Sequence, residues 1–176
     1  MSNRLNFLFT TNPYTYRRRQ LLTIPRPCVY DTVLDIPSYE TFLPWCKKSS
    51  WVDCVDLKQL SNHGGQRKAT ITVDFKLIKE SYTSVVHFNP HDRIKAVAAN
   101  NDLFEVLDTV WEFKDIGDAT EVDFNIKFKF HSGMYQTITT YMGRTLSGSM
   151  VDHFVKECYR RHNLKKIPFQ KEHVGI

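Results

Sequence analysis

The sequence predicts an α+β domain, a curved antiparallel sheet with one long C-terminal helix across its concave face and two short helices near the N-terminus. Three observations carry this. Residues 121–130, EVDFNIKFKF, alternate strictly, so Val122, Phe124, Ile126, Phe128 and Phe130 share one strand face while the other face is charged. After a His131-Ser132-Gly133 break, Met134, Ile138, Met142, Leu146, Met150, Phe154 and Cys158 recur at every fourth residue, a helical spacing. The strand-like runs before them are joined by turns too short for parallel crossovers, which take about a dozen residues or more. A chain of 176 residues with 41% apolar content suits a single core, and no linker-like stretch divides it.

The first strand is expected at 18–24, closed by Pro25 and Pro27. Pro27 suits a helix N-terminus, and Val29, Tyr30, Val33, Leu34 and Ile36 keep helical spacing until Pro37 stops them. Ser38 is placed to cap a second short turn carrying Tyr39, Phe42 and Leu43, which Pro44 ends. Strand patterns follow at 51–60, then across an Asn62-His63-Gly64-Gly65 turn at 69–77, and at 82–88, 93–99 and 104–113. Asn89-Pro90, Asn100-Asn101-Asp102 and Gly117-Asp118 supply the turns.

A step of four residues overshoots a helical turn by about 40°. The apolar ladder of the last helix therefore winds obliquely, as suits a helix laid across a twisted sheet. Its earlier half is expected to line a cavity, and Phe154 and Cys158 to enter packed core. Three of the chain's four methionines lie on that ladder, and flexible thioethers facing aromatic rings make a wall that adapts to an apolar guest. Gly143, Ser147, Gly148 and Ser149 thin the helix midway, which serves either close packing on the sheet or room for a ligand.

The net charge of +5 is unevenly placed. Arg4, Arg17, Arg18, Arg19 and Arg26 precede the first acid, Asp31, and the remaining 19 basic residues match 19 acidic ones. Residues 1–16 therefore read as a basic extension, either a targeting remnant or a disordered arm, with the domain at 17–165 and a tail at 166–176. Residues 102–123 hold eight acids and one base, Lys114, whereas 156–171 hold six bases. The basic end is read either as a contact for anionic lipid or an acidic protein or, with the acidic stretch, as solvated faces and helix-end charges. No apolar run nears the ~18 residues of a membrane span.

Cys28, Cys46, Cys54 and Cys158 form no Cys-x-x-Cys pair, and they read as reduced thiols. His87 and His91 stand four apart, but Asn89-Pro90 between them bars the helix that would align them, so no metal site is indicated. Gly64-Gly65 lacks a phosphate-loop pattern, no nucleophile elbow is present, and a Cys46 nucleophile would need a distant histidine without any local signature. Asp53 and Asp56 fall on opposite faces of the expected strand at 51–60. No catalytic residue is assigned. The aromatic rings alternate with charges instead of sharing a face with them, which argues against a nucleic-acid platform.

Tyr39-Glu40-Thr41-Phe42-Leu43-Pro44-Trp45-Cys46-Lys47-Lys48-Ser49, preceded by Val33-Leu34-Asp35-Ile36, resembles the mitochondrial coenzyme Q-binding START-domain family. The similarity continues through Tyr82-Thr83-Ser84, Phe104, Leu107, Trp111, Phe113 and Val122-Asp123-Phe124, over about residues 17–162. This resemblance implies a START-like helix-grip fold with a tunnel between sheet and helix. It also implies a non-enzymatic binder of coenzyme Q (ubiquinone) that delivers it to respiratory electron transport and supports its biosynthesis, peripheral on the matrix side of the mitochondrial inner membrane. No catalytic cofactor is implied. The expected partners are coenzyme Q, an anionic lipid surface, and respiratory complexes or coenzyme Q biosynthetic proteins. Ribosome-associated bacterial relatives and polyketide aromatase/cyclases share the superfamily and are the alternatives.

On this reading Met134, Ile138, Tyr141, Met142, Leu146 and Met150 line the tunnel from the helix, and Val122, Phe124, Ile126, Phe128 and Phe130 from the sheet. Trp111 and Tyr141 offer the quinone ring an aromatic face and a hydrogen-bond donor. Phe42, Leu43, Pro44 and Trp45, flanked by Lys47 and Lys48, form either a portal that dips into lipid headgroups or, with Trp45 turned inward, a plug for the sheet opening.

Overall fold

The computed structural model describes residues 12–75, 78–99 and 102–162, with all their side chains except those of 133, 134 and 136–142. The chain runs β1 (Tyr14–Leu22), α1 (Arg26–Leu34), a 3-10 turn (Ile36–Ser38), α2 (Tyr39–Phe42), β2 (Cys46–Trp51), α3 (Leu57–Asn62), β3 (Gly65–Phe75), β4 (Ile78–Asn89), β5 (Arg93–Ala98), β6 (Phe104–Ile116), β7 (Ala119–Phe130) and α4 (Gly133–Arg161). All seven strands join one antiparallel sheet in the order β1-β7-β6-β5-β4-β3-β2. The meander is as expected from the short turns, and β1 closes it by pairing with β7.

One expected element is wrong. Residues 51–60 are not a strand: Trp51 ends β2, and the Asp56 carboxylate accepts from the Lys58 N–H at 2.9 Å, capping α3. The true strand, Cys46–Trp51, carries a register shift between Cys46 and Lys48 that buries both Cys46 and Ser49. A bulge of that kind erases the alternation by which a strand is read. Ser38 likewise does not cap α2; its hydroxyl donates to the Asp35 carbonyl at 2.7 Å.

β1 opens at Tyr14, before the expected residue 18, and sets Tyr14, Tyr16, Arg18 and Gln20 opposite Phe128, Ile126, Phe124 and Val122. This pairing lays the basic strand beside the acidic one. Arg17 and Arg19 reach Asp123 at 2.6 and 3.1 Å, Arg18 reaches Asp152 of α4 at 2.7 Å, and Arg26 reaches Asp115 at 3.0 Å. The Arg17 hydrogen bonds, with those of Arg19, hold the Asp123 carboxyl below its ordinary range. The described part of the N-terminal arginine excess is thus spent on the fold's own acids.

Helix α4 crosses β1 through its glycines. A Cβ on Gly143 would lie 3.0 Å from Tyr14 ring carbons, whereas one on Gly148 would meet only the Tyr16 hydroxyl, at 3.4 Å. Gly148→Ala is therefore expected to gain most of the roughly 0.8–1 kcal/mol helix-propensity difference. Gly143→Ala is expected to lose more than it gains, because a ring anchored in the sheet has to move. Urea unfolding of the two variants checks this, and equal stabilisation of both would contradict it.

The main core gathers Leu22, Ile24, Val29, Tyr30, Val33, Leu34, Trp111, Phe124, Val151, Phe154 and Cys158, between the sheet, α1 and the later half of α4. Cys158 enters packed core as its oblique spacing implies, whereas Phe154, also buried, borders the inner chamber as well. The last turn of α4 is pinned electrostatically. Glu157, 4% exposed, accepts from Arg160 Nε and Nη2 at 2.7 and 2.6 Å and from Arg161 Nε at 2.8 Å. Arg161 also donates to Asp35 at 2.9 Å and to the Ser38 hydroxyl at 2.6 Å, tying α4 to the 3-10 turn.

The Arg160 hydrogen bonds, joined by Arg161, hold the Glu157 carboxyl below its ordinary 4.5 although burial pushes the other way. A depressed folded-state pKa contributes stability that is fully present above 4.5 and is lost as pH falls through the folded value. Glu157→Gln is expected to cost about 2–3 kcal/mol at neutral pH, the loss of charge-assisted hydrogen bonds to a buried acceptor. That deficit should shrink on acidification below the carboxylate range, as urea melts at both pH values would record.

Candidate ligand-binding site

Inward-facing small residues leave part of the sheet without side chains to fill the space above it. Ala69 of β3 and Ser84 of β4 stand side by side, and Ala96 of β5, flanked by Val86 and Thr109, continues the hollow toward β6. The result is an inner chamber of about 110 Å³, roofed by Ile36, Tyr39 and Leu43 and by Met150 and Phe154 of α4, with Trp111 on its wall. An outer chamber of about 140 Å³ lies toward the end of the sheet where α4 begins. Its walls are Val73, Phe75, Ile78, Phe104, Ile126, Phe128 and Phe130 from the sheet, Leu103 just before β6, and Leu146, Ser147 and Met150 from α4. The two share Trp45, Val73, Tyr82, Leu107 and Met150. An apolar cavity of about 150 Å³ accepts a benzene ring; the outer chamber is close to that size and the adjoining inner one somewhat smaller.

The lining is neutral. Burial pushes up the Cys46 thiol and the phenols of Tyr39 and Tyr82, so all three are protonated at neutral pH. The Tyr39 hydroxyl is committed, donating to the Val33 carbonyl. Among the described residues the Tyr82 hydroxyl has no such partner. No cluster of three His, Cys, Asp or Glu suited to a metal occurs among them, and no helix is long and apolar enough to cross a membrane.

Of the residues expected to line a tunnel, Ile126, Phe128, Phe130, Leu146 and Met150 border the outer chamber, and Trp111 and Met150 the inner one. Val122 and Phe124 border neither. Phe124 is 0% exposed, with its ring 4.4 Å from that of Trp111. Ile138, Tyr141 and Met142, with Met134, have side chains outside those described. Of the residues that thin α4 midway, Gly143 and Gly148 seat the helix closely on tyrosines of β1, and Ser147 borders the outer chamber.

In the loop read as portal or plug, Trp45 is half-buried on the wall of both chambers and meets His153 edge-on at 5.6 Å. Leu43 is buried in the inner roof, and Phe42 packs edge-on against Tyr39 and Phe154. Pro44, Lys47 and Lys48 are exposed. The Asp74 N–H donates to the Trp45 carbonyl at 2.9 Å, which holds this loop beside the end of β3, and Lys47 and Lys79 flank the Asp74 carboxylate at 4.0 and 3.9 Å. Sequence reading does not single out Val73, Tyr82, Ser84, Ala96 or Leu107 as lining. Period-two alternation places each on an inward face, but a small inward residue marks a hollow only beside small neighbours on other strands.

A family model for polyketide cyclase/dehydrase and lipid transport proteins matches residues 22–155. Among known relatives, the Coenzyme Q-binding protein COQ10 homolog B, mitochondrial, of Xenopus laevis is 28% identical over 157 residues, covering 87% of this chain and 61% of that protein. The chain thus spans about three-fifths of that relative's length. The coenzyme Q-binding protein coq10, mitochondrial, of Schizosaccharomyces pombe is 26% identical, covering 85% of this chain and 90% of that one. The ribosome association toxin RatA of Rickettsia prowazekii is 28% identical, covering 72% and 88%. Two solved structures share the fold: the Zhui aromatase/cyclase from Streptomyces sp. R1128, with a TM-score of 0.68 at 12% identity over 85% of this chain and 96% of that one, and the 18 kDa protein CC1736 from Caulobacter crescentus, with 0.67 at 20% over 85% and 99%.

Proposed function

The chain belongs to the polyketide cyclase/dehydrase and lipid transport family, and on that premise we propose that it is a non-enzymatic ubiquinone binder. It shelters the quinone head and the first isoprene units in its two chambers and passes the lipid on, in support of respiratory electron transport and coenzyme Q biosynthesis. The observation that carries this reading is the pair of adjoining chambers with neutral, mostly apolar walls. Similarity to proteins named as coenzyme Q-binding supports the choice of guest. About ten buried carbons at roughly 0.8 kcal/mol each amount to some 8 kcal/mol, micromolar affinity before ordering costs. The protein works peripherally at the matrix face of the mitochondrial inner membrane, with respiratory complexes or coenzyme Q biosynthetic proteins as recipients.

Trp45 is the gate on this reading, and exposed Lys47 and Lys48, with Lys79 beside them, face the anionic headgroups. A basic side chain near an anionic surface contributes about 1 kcal/mol. The Lys47→Glu, Lys48→Glu double variant is therefore expected to bind vesicles containing anionic lipid at least about 10-fold more weakly at low salt, with unchanged thermal unfolding. Unaltered vesicle binding in a sedimentation assay would remove the membrane-docking role from this loop.

The central test is organic extraction of the purified protein followed by mass spectrometry. A prenyl quinone is the expected extract; a protein that arrives empty and takes up no added ubiquinone overturns the proposal. The similarity to the ribosome association toxin favours a second reading, association with ribosomes. Co-sedimentation with ribosomal subunits at physiological salt, by a protein that holds no quinone, would establish that one instead. Turnover of a polyketide chain would mark the aromatase/cyclase alternative.

A further inference from the structure

Resting on the ubiquinone reading, we infer that the Tyr82 hydroxyl donates the hydrogen bond that seats the quinone ring, so that the head group lies in the inner chamber and the isoprenoid tail leaves through the outer one. The two chambers differ in polarity. Tyr39, Cys46, Ser84 and Thr109 line the inner chamber, with the Tyr39 hydroxyl committed to the Val33 carbonyl and the Cys46 thiol to the Lys48 carbonyl, whereas Ser147 is the one polar residue that borders the outer chamber alone among the described residues. A prenyl quinone has the same asymmetry, with its oxygens on the ring and none on the tail. Because the ring bears only acceptors, the wall has to supply the donors.

Tyr82 stands where the chambers meet, on the inward face of β4 opposite Ile71. Its ring is held edge-on to Phe104 of the outer chamber at 5.1 Å. Its hydroxyl lies within electrostatic reach of Cys46 and Tyr39, both of the inner chamber. Tyr82 is half-buried and borders both chambers. Burial keeps the phenol protonated well beyond neutral pH, which preserves it as a donor. A guest carbonyl at the junction of the chambers supplies an acceptor for this hydroxyl.

The test compares the full chain with Tyr82→Phe by tryptophan-fluorescence titration, using a short-tailed ubiquinone and, as a ringless probe, a polyprenyl hydrocarbon of matched length. Losing one hydrogen bond is expected to weaken ubiquinone binding about 3- to 10-fold, with hydrocarbon binding unchanged and circular dichroism melts confirming the fold. Equal affinity of the variant and the unaltered chain for ubiquinone overturns the assignment, as does equal weakening toward both probes. A chain that in its unaltered form binds hydrocarbon but not ubiquinone fails the parent reading, and the seat falls with it.

Discussion

Ala96→Phe is expected to abolish measurable ubiquinone uptake, by at least about 100-fold, while the protein still folds. Ala96 points into the inner chamber from β5, between Val86 and Thr109, and the chamber exists because residues there are small. A phenyl ring placed at that position occupies the space that the head group needs. The affinity lost is that of the ring's apolar burial, at about 0.8 kcal/mol per carbon, together with its hydrogen bond. Stability should change little, since overpacking costs of roughly 1–3 kcal/mol are offset by apolar area buried in a void. Fluorescence titration and extraction measure the first effect and circular dichroism melts the second. Quinone binding at the unaltered level would mean that the head group does not use this chamber.

Phe124→Ala is expected to do the reverse, with a large loss of stability and little change in what the folded protein binds. Phe124 is completely buried, in contact with Trp111 and opposite Arg18 of β1, and it touches neither chamber. Removing a ring from a close-packed core costs about 3–5 kcal/mol. At 2–4 °C per kcal/mol for a domain of this size, the melting temperature should fall by about 6–20 °C. Below that transition, ubiquinone affinity should stay within about threefold of the unaltered chain, a loss small beside the effect of Ala96→Phe. An affinity loss comparable to that of Ala96→Phe would instead make Phe124 part of the site.

The elements that were legible beforehand are those whose signals are local. β7 and α4 declare themselves because strict alternation and a fixed four-residue step depend on neighbouring residues alone. β2 was hidden because a register shift breaks its alternation, and α3 because six residues capped by Asp56 look like the extended end of the strand before them.

What the sequence alone determined is which face each residue of β7 presents, the meander, the long closing helix and the apolar character of the space between them. What lies opposite each inward residue was decided only by tertiary structure. Phe124, Phe128 and Phe130 share one face of one strand, yet the first is sealed beneath Trp111 and the other two border a cavity. The inner chamber comes from small residues on β3, β4 and β5, separated along the chain and juxtaposed by strand register. The arginine-rich start of the domain and the acidic 102–123 stretch, read apart from each other in the sequence, meet as ion pairs because β1 pairs with β7. Periodicity is a property of adjacent residues, whereas cavities and ion pairs belong to residues that only the folded chain brings together.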